Sequence, residues 1–312
     1  MLTVAFGVLL SVEGAWSQTR TVKVVVPFPP GGTADTVARL LADQISGVQG
    51  LTILVENRAG AASVIGTEAV SRAAPDGNTL LVPANSFIIN AFLKKLSYEP
   101  LSSFEPICNL VRSPHVLAVN STSPYRTLAD LLGAARAKPG QLTLASVGPA
   151  TSQHIAFEML KRRAKVDITF IPFAGTAPAV NSLLGGHVTS VLVNYPEVAE
   201  HLQTGKLRAL VSTLQARTAQ LPSVPTVAES GYPDFETDTW IGLFAPAKTP
   251  KETIAQLTDW FTTAMQASEI KMKFANLGLS QVGTCGADFA AYLRKQNEEY
   301  GRTIREANIK GE

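Results

Sequence analysis

The sequence is poor in side chains that carry metal or nucleophilic chemistry. Its 312 residues hold four histidines, at 115, 154, 187 and 201, and two cysteines, at 108 and 285. No two histidines stand at a helix-face ligand spacing and no CxxC occurs, so neither a zinc centre nor a redox pair is expected. Two cysteines cannot build a disulfide scaffold, and one bridge between Cys108 and Cys285 stays open. The GxSxG turn that would expose a serine nucleophile is absent. Ser152 and His154 come nearest to a Ser–His pair, but one residue apart at a helix start they point in different directions. An exported hydrolase built on Ser152 or Thr151 would lack an oriented base, and no catalytic residue, metal or cofactor is assigned. Charge is sparse too: 17% of residues are charged, the net charge is +2, and basic runs stop at two or three residues. That balance argues against a nucleic-acid partner. Glycine (23) and proline (19) are too few for a low-complexity chain, and 46% apolar residues is too many for disorder.

Long apolar runs are missing as well. Residues 2–10 form an apolar stretch that would span only about 14 Å as a helix, against a hydrocarbon core of about 30 Å. The stretch suits the h-region of a secretory signal, and Ala15 and Ser17 put small residues at the −3 and −1 positions of a cleavage site. No basic residue precedes it, which a start codon set too far downstream would explain. Residues 1–17 are therefore expected to be a signal peptide cleaved near Ser17, with the mature protein soluble and exported.

What the chain does have is alternation. Residues 22–26 (VKVVV) form a β-branched run ending at Pro27, residues 33–45 carry apolar positions at helical spacing, and residues 52–55 read as a second strand. A helix over about 64–73 and a strand over 79–82 follow. The order strand, helix, strand, helix, strand implies parallel pairing. The pattern repeats with strands at 116–119, 142–145, 168–171, 188–193 and 209–213, and helices at 128–137, 152–163, 177–184 and about 197–203. A strand around 240–244 and helices over 251–267 and 287–306 finish the chain. Gly185 is expected to supply the left-handed residue that closes the helix at 184. The simplest organisation is two α/β lobes, residues 18–118 with 243–312 and residues 119–242, joined near 118 and 242.

Three strand-to-helix loops could hold an anion. The first, residues 27–35 (PFPPGGTAD), places Gly31 and Gly32 where backbone can approach a ligand, ahead of a helix whose first N–H groups lack acceptors. Neither a P-loop nor a GxGxxG pattern is present. Asp35 would repel an anion it faced, so it is given an orienting role. The other loops, residues 146–154 (SVGPATSQH) and 172–178 (PFAGTAP), lie in the second lobe and offer hydroxyls and backbone donors.

The blocks VPFPPGGTAD (26–35), VENRAGA (55–61), AAPDGNTLL (73–81), LLGGHV (183–188), GKLRAL (205–210) and LPSVPTVAESG (221–231) resemble the Bug-type substrate-binding receptors of tripartite tricarboxylate transporters, over about residues 21–305. The resemblance implies a two-lobed periplasmic type II binding-protein fold, each lobe a mostly parallel sheet flanked by helices, with the ligand cleft between lobes. It also implies a small carboxylate ligand (a di- or tricarboxylate or an aromatic acid), membrane permease subunits as partners, and a monomer. A ligand-sensing partner of a membrane sensor kinase would share the fold. The ligand-binding residues it implies are Phe28, Gly32, Thr33, Ala34, Asp35, Asn85, Ser86, Ser146, Thr151, Ser152, His154, Phe173, Gly175, Thr176 and Asn194. Pro149-Ala150, Ala174 and Val193 stand where many relatives have Asn-Gly, Lys and Asp. That makes the cleft less polar on the second-lobe side and favours an apolar or aromatic ligand body over citrate or an amino acid.

Overall fold

The computed structural model describes residues 20–148, 151–173 and 175–310. The expected signal peptide, residues 1–17, lies outside the described residues, as do Pro149, Ala150 and Ala174. The chain opens with strand β1 (Thr21–Val26), helix α1 (Thr33–Gln49), β2 (Thr52–Asn57), α2 (Val64–Ser71) and β3 (Thr79–Leu81). Both β2 and β3 pair with β1 in parallel, as the alternation predicts. Helix α1 buries Ala34, Val37, Ala38, Leu41 and Ile45, one stripe at helical spacing. It ends where Gly50, at φ +64°, turns its N–H back to Ser46.

A short helix α3 (Ser86–Leu93) then leads into a 17-residue strand, β4 (Phe104–Asn120). The second half follows: α4 (Leu128–Ala137), β5 (Thr143–Val147), α5 (Ser152–Ala164), β6 (Thr169–Phe173), α6 (Thr176–Leu184), β7 (Ser190–Asn194), α7 (Ala199–Gln203) and β8 (Leu207–Ser212). The return strand β9 (Asp238–Pro246) and the terminal elements α8 (Lys251–Gln266), α9 (Ser268–Asn276), β10 (Ser280–Cys285) and α10 (Gly286–Glu306) complete it. At the end of α6 the left-handed residue is Gly186, at φ +74°, while Gly185 keeps a right-handed φ of −77°. The turn therefore falls one residue later than expected.

Strand β4 organises the molecule. Phe104 to Pro114 pair antiparallel with β9, and β10 pairs with β4 on its other side between Cys108 and Arg112. From His115 onward β4 leaves that ladder and pairs with β7 and β8 instead. One ten-stranded sheet results, in the order β2-β1-β3-β9-β4-β7-β5-β6 with β10 and β8 off that path. Parallel pairing belongs to the outer strands of each lobe, β2-β1-β3 and β6-β5-β7. The seam is antiparallel because β4 carries the chain into the second lobe and β9 carries it back.

Helix α8 packs on α1 and β4, whereas α10 packs on α3, β4 and also α5. One buried cluster joins α1, α8 and α9 to the first lobe's strands through Val24, Leu41, Leu243, Phe261 and Phe274. The bridge left open by the sequence is made: Cys108 and Cys285 are disulfide-bonded across directly paired positions of β4 and β10.

Candidate functional site

A cavity of about 510 Å³ opens between the lobes. The first lobe contributes Phe28, Ala62, Ala84, Asn85, Ser86 and the end of α3; the second contributes Val147, Gly148, Thr151, Ser152, Gly175, Thr176 and Asn194. Three helices begin at its wall, α3 at Ser86, α5 at Ser152 and α6 at Thr176. Their dipoles supply positive potential to one space, although the first α3 amides of Phe87 and Ile88 already donate to the Ala84 and Asn85 carbonyls. Gly175 caps α6 without any side-chain acceptor. Thr151 caps α5 by accepting from the His154 N–H at 3.2 Å while donating to the Val147 carbonyl.

Under the cavity the crossing strands are tied together by side chains. The Thr239 hydroxyl donates to Asn194 Oδ1 at 2.9 Å, and Gln153 Nε2 donates to the same oxygen at 3.2 Å. Ser152 Oγ lies 3.3 Å from Thr239 Oγ1 and 3.4 Å from His115 Nε2. The Asn85 amide donates to the Tyr300 hydroxyl at 2.7 Å and to the Asp238 carbonyl, and its oxygen accepts from the Trp240 N–H. Asn85 thus joins α3, β9 and α10 beneath the ligand space. Where β4 and β9 change lobes, Arg112 pairs with Asp238 and Glu236, and the Tyr292 hydroxyl donates to Asp238.

His115, rather than His154, is the imidazole that meets Ser152. Its other nitrogen, Nδ1, lies 3.4 Å from the Thr237 hydroxyl, so a hydroxyl stands where a nucleophile–base pair needs an orienting acid. Complete burial pushes the His115 pKa down to about 3. This imidazole is neutral and held in a packed floor; the contact is a structural tie.

The sequence-predicted residues divide in two. Phe28, Asn85, Ser86, Thr151, Ser152, Gly175, Thr176 and Asn194 line the cavity together. Gly32, Thr33, Ala34, Asp35, Ser146, His154 and Phe173 are not among its lining residues. Gly32 is the N-cap of α1 and makes no side-chain cap bond. The Asp35 carboxylate accepts from the Gly31 N–H at 2.8 Å, from Asn57 and from Arg39. Burial raises its pKa, but the bonds from Arg39, Gly31 and Asn57 outweigh that and hold it below the usual carboxylate value. The Ser146 hydroxyl is spent on the Leu192 carbonyl at 2.6 Å. The His154 ring stacks on Phe170 with centroids 4.1 Å apart, and burial, with Lys161 nearby, lowers its pKa to about 4. Phe173 packs against the second lobe's core.

Sequence reasoning missed Gln153, Thr239, Lys94, Glu197 and Lys310, all of which line the cavity. Glu197 returns an acid to the wall that the loss of aspartate at 193 was expected to leave less polar. Burial raises its pKa, against bonds from Thr176 and Asn194 that lower it. The Asn194–Glu197 spacing is a capping-box signal that could have located it. A larger cavity of about 760 Å³ lies wholly within the second lobe, beside the start of α4. That helix end is already filled by the Thr127–Asp130 capping box, and a ligand there would touch one lobe only.

The geometry agrees with comparisons to known proteins. The tripartite tricarboxylate transporter family receptor pattern matches residues 37–309. Protein BugT of Bordetella pertussis is 32% identical over 307 residues, spanning 97% of this chain and 94% of BugT. Among solved structures, the R. palustris protein Rpa4515 with adipate superposes with a TM-score of 0.81 at 28% identity, covering 95% of this chain and 100% of that one. MatC from Rhodopseudomonas palustris with bound malate gives 0.75 at 30% identity, over 92% of this chain and 99% of that one. The chain belongs to the tripartite tricarboxylate transporter receptor family.

Proposed function

We propose that this protein is a periplasmic solute-binding receptor that captures a small carboxylate compound between its lobes and delivers it to membrane permease subunits of a tripartite tricarboxylate transporter. The observation that carries the reading is the meeting of three helix N-termini, one from the first lobe and two from the second, at a single cavity. Contacts made to both lobes favour the closed state over the open one, so ligand binding and closure are one equilibrium. We take the lobes as residues 18–118 with 243–312 and residues 119–242. The change of strand partners after Pro114 in β4 supports a hinge close to the first boundary. Adipate and malate in two related structures support the carboxylate class.

The testing experiment is a thermal-shift screen of mono-, di-, tri- and aromatic carboxylates on the mature protein. A true ligand at 100 times its Kd adds about 2.7 kcal/mol of stability. Uptake of the same acid by cells carrying the cognate permease should then require this receptor. A panel in which no acid raises the melting temperature, or an acid consumed to product, would overturn the reading.

A further inference from the structure

A second inter-lobe space lies on the other face of the crossing strands. In β9 the Thr239 side chain belongs to the cavity floor, so its neighbours Asp238 and Trp240 point to the opposite face. Arg112, directly opposite Trp240 in the ladder, shares that face. There a space of about 420 Å³ separates residues 214–220 and Glu236 of the second lobe from Arg112, Leu279 and Ser280 of the first. It shares no lining residue with the ligand cavity.

Two contacts span the lobes on this side. Arg112 of the first lobe pairs with Glu236 at 2.7 Å. Glu236 moves with the second lobe, because the adjacent Thr237 donates its N–H to the Thr213 carbonyl and accepts the Thr213 hydroxyl on its own carbonyl. Asp238, the other partner of Arg112, stands in the β4–β9 ladder opposite Pro114 and keeps the guanidinium with the strands. The second contact is steric. Tyr195, just past β7, packs with Val191 and Val193, while Asn194 turns the other way into the cavity. The Tyr195 ring lies against Gly278 in the turn before β10, and a Cβ added there would collide with it. Both contacts are made while the ligand cleft stands open, with Ala62, Glu197 and Lys310 of its wall exposed.

Lobes that rotate about β4 and β9 cannot narrow the space on one face without widening the space on the other. Resting on the receptor reading above, we propose that the Arg112–Glu236 pair and the Tyr195–Gly278 contact form a latch that favours the open lobes. Glu236 and Tyr195 are then positioning residues that set ligand affinity without touching the ligand. Closure over an acid draws Glu236 away from Arg112 and lifts Tyr195 from Gly278. The apparent Kd is the intrinsic value divided by the closed fraction. Weakening the latch raises that fraction, so every ligand gains by the same factor. A residue in the cleft acts instead on each ligand according to its contacts.

The test compares wild type with Glu236→Ala, which removes the ion pair, and Gly278→Ala, whose methyl group wedges the turn away from Tyr195. Calorimetric titration with adipate, malate and benzoate reads affinity, and the melting temperature checks that each variant folds. A nitroxide on Ala177→Cys, exposed beside the cavity residue Thr176, reads the apo lobes: relaxation of the α3 amides on the facing wall weights short distances and so detects a minor closed population. Cys108 and Cys285 are bonded to each other, which keeps the labelling selective. We expect Glu236→Ala to bind every acid that wild type binds about three- to five-fold tighter, the scale of a partly exposed ion pair, with faster relaxation at α3. Gly278→Ala should do the same. Gly278 sits at φ +67°, so that variant also carries backbone strain, and Glu236→Ala decides where the two disagree. Unchanged affinities, or a uniform loss that would place these contacts in the closed state, overturn the latch and leave the receptor reading intact. Tightening that differs from acid to acid also overturns it, because the change would then lie in the cleft. If no acid binds any of the proteins, the receptor reading fails and the apo relaxation alone decides the latch: faster α3 relaxation in Glu236→Ala upholds it, and a wild-type profile ends it.

Discussion

Substitution of Gly175 by valine probes ligand binding at the α6 end of the cleft. Gly175 is extended (φ 178°, ψ 172°), a conformation any residue adopts. A Cβ built there meets only Pro178 Cδ, at 3.9 Å, which is ordinary contact. The new side chain stands at the cavity wall in front of α6, where it should cost the ligand at least one charge-assisted hydrogen bond. Such a bond contributes about 1.5–3 kcal/mol, or roughly a 10- to 150-fold loss of affinity. Gly32→Val is the matched control. A Cβ at Gly32 meets only Pro29 O at 3.8 Å, but Gly32 lies outside the cavity lining. Calorimetric titration with the acid giving the largest thermal shift should show the full loss for Gly175→Val and a loss below about three-fold for Gly32→Val. Valine is a poorer N-cap than glycine, so both apo proteins should melt somewhat below wild type and by similar amounts. The opposite order, with Gly32→Val abolishing binding and Gly175→Val neutral, would move the anion to the start of α1 and refute the argument from cavity geometry.

Further outcomes follow from burial and chain connectivity. Replacing both Cys108 and Cys285 with alanine releases a cross-link between residues 177 apart; chemical denaturation should show about 2–5 kcal/mol less stability, and an unchanged midpoint would contradict the tie. His115, with its folded pKa depressed to about 3, takes up a proton in the unfolded chain first. The unfolded state therefore binds more protons between about pH 6.5 and pH 3. Stability should fall as pH drops through that window, by up to ~5 kcal/mol from this residue, and His115→Asn should flatten the fall. Asn85→Ala removes three hydrogen bonds linking α3, β9 and α10; we expect a loss of about 2–4 kcal/mol, read by thermal unfolding of the apo protein.

Much of the fold is legible in local patterns. Helix α4 matches the expected residues 128–137, because its apolar spacing and its Thr127 cap agree. Helix α3 was not foreseen. It buries Phe87, Ile88, Ile89 and Asn90 on successive positions, so it shows no helical period for a sequence to reveal. The first part of β4 was missed because Pro106, Asn109 and Pro114 break the apolar run. The sheet accepts Pro106 and Asn109 at register shifts, Pro106/Cys108 and Asn109/Val111, while Pro114 stands at the end of the β9 ladder opposite Asp238. Strand β10 is short and only half-buried, and is held by pairing with β4. In the site, loops that follow strands were readable from glycine and hydroxyl content. Thr239 and Lys310 were not, because their place in the cavity depends on the paths of β9 and α10, nor was Lys94, which caps the unforeseen helix α3. Ser146 and His154 carry polar groups in the right loop, yet the inward tie to Leu192 and the stack on Phe170 are tertiary outcomes.

The most direct test of the account is a crystal structure of the protein with its best-binding acid. The account predicts closed lobes, with a ligand carboxylate within hydrogen-bond distance of backbone N–H groups opening α5 and α6. An acid seated at Gly32–Asp35, or in the cavity confined to the second lobe, with the inter-lobe space holding only water, would contradict it.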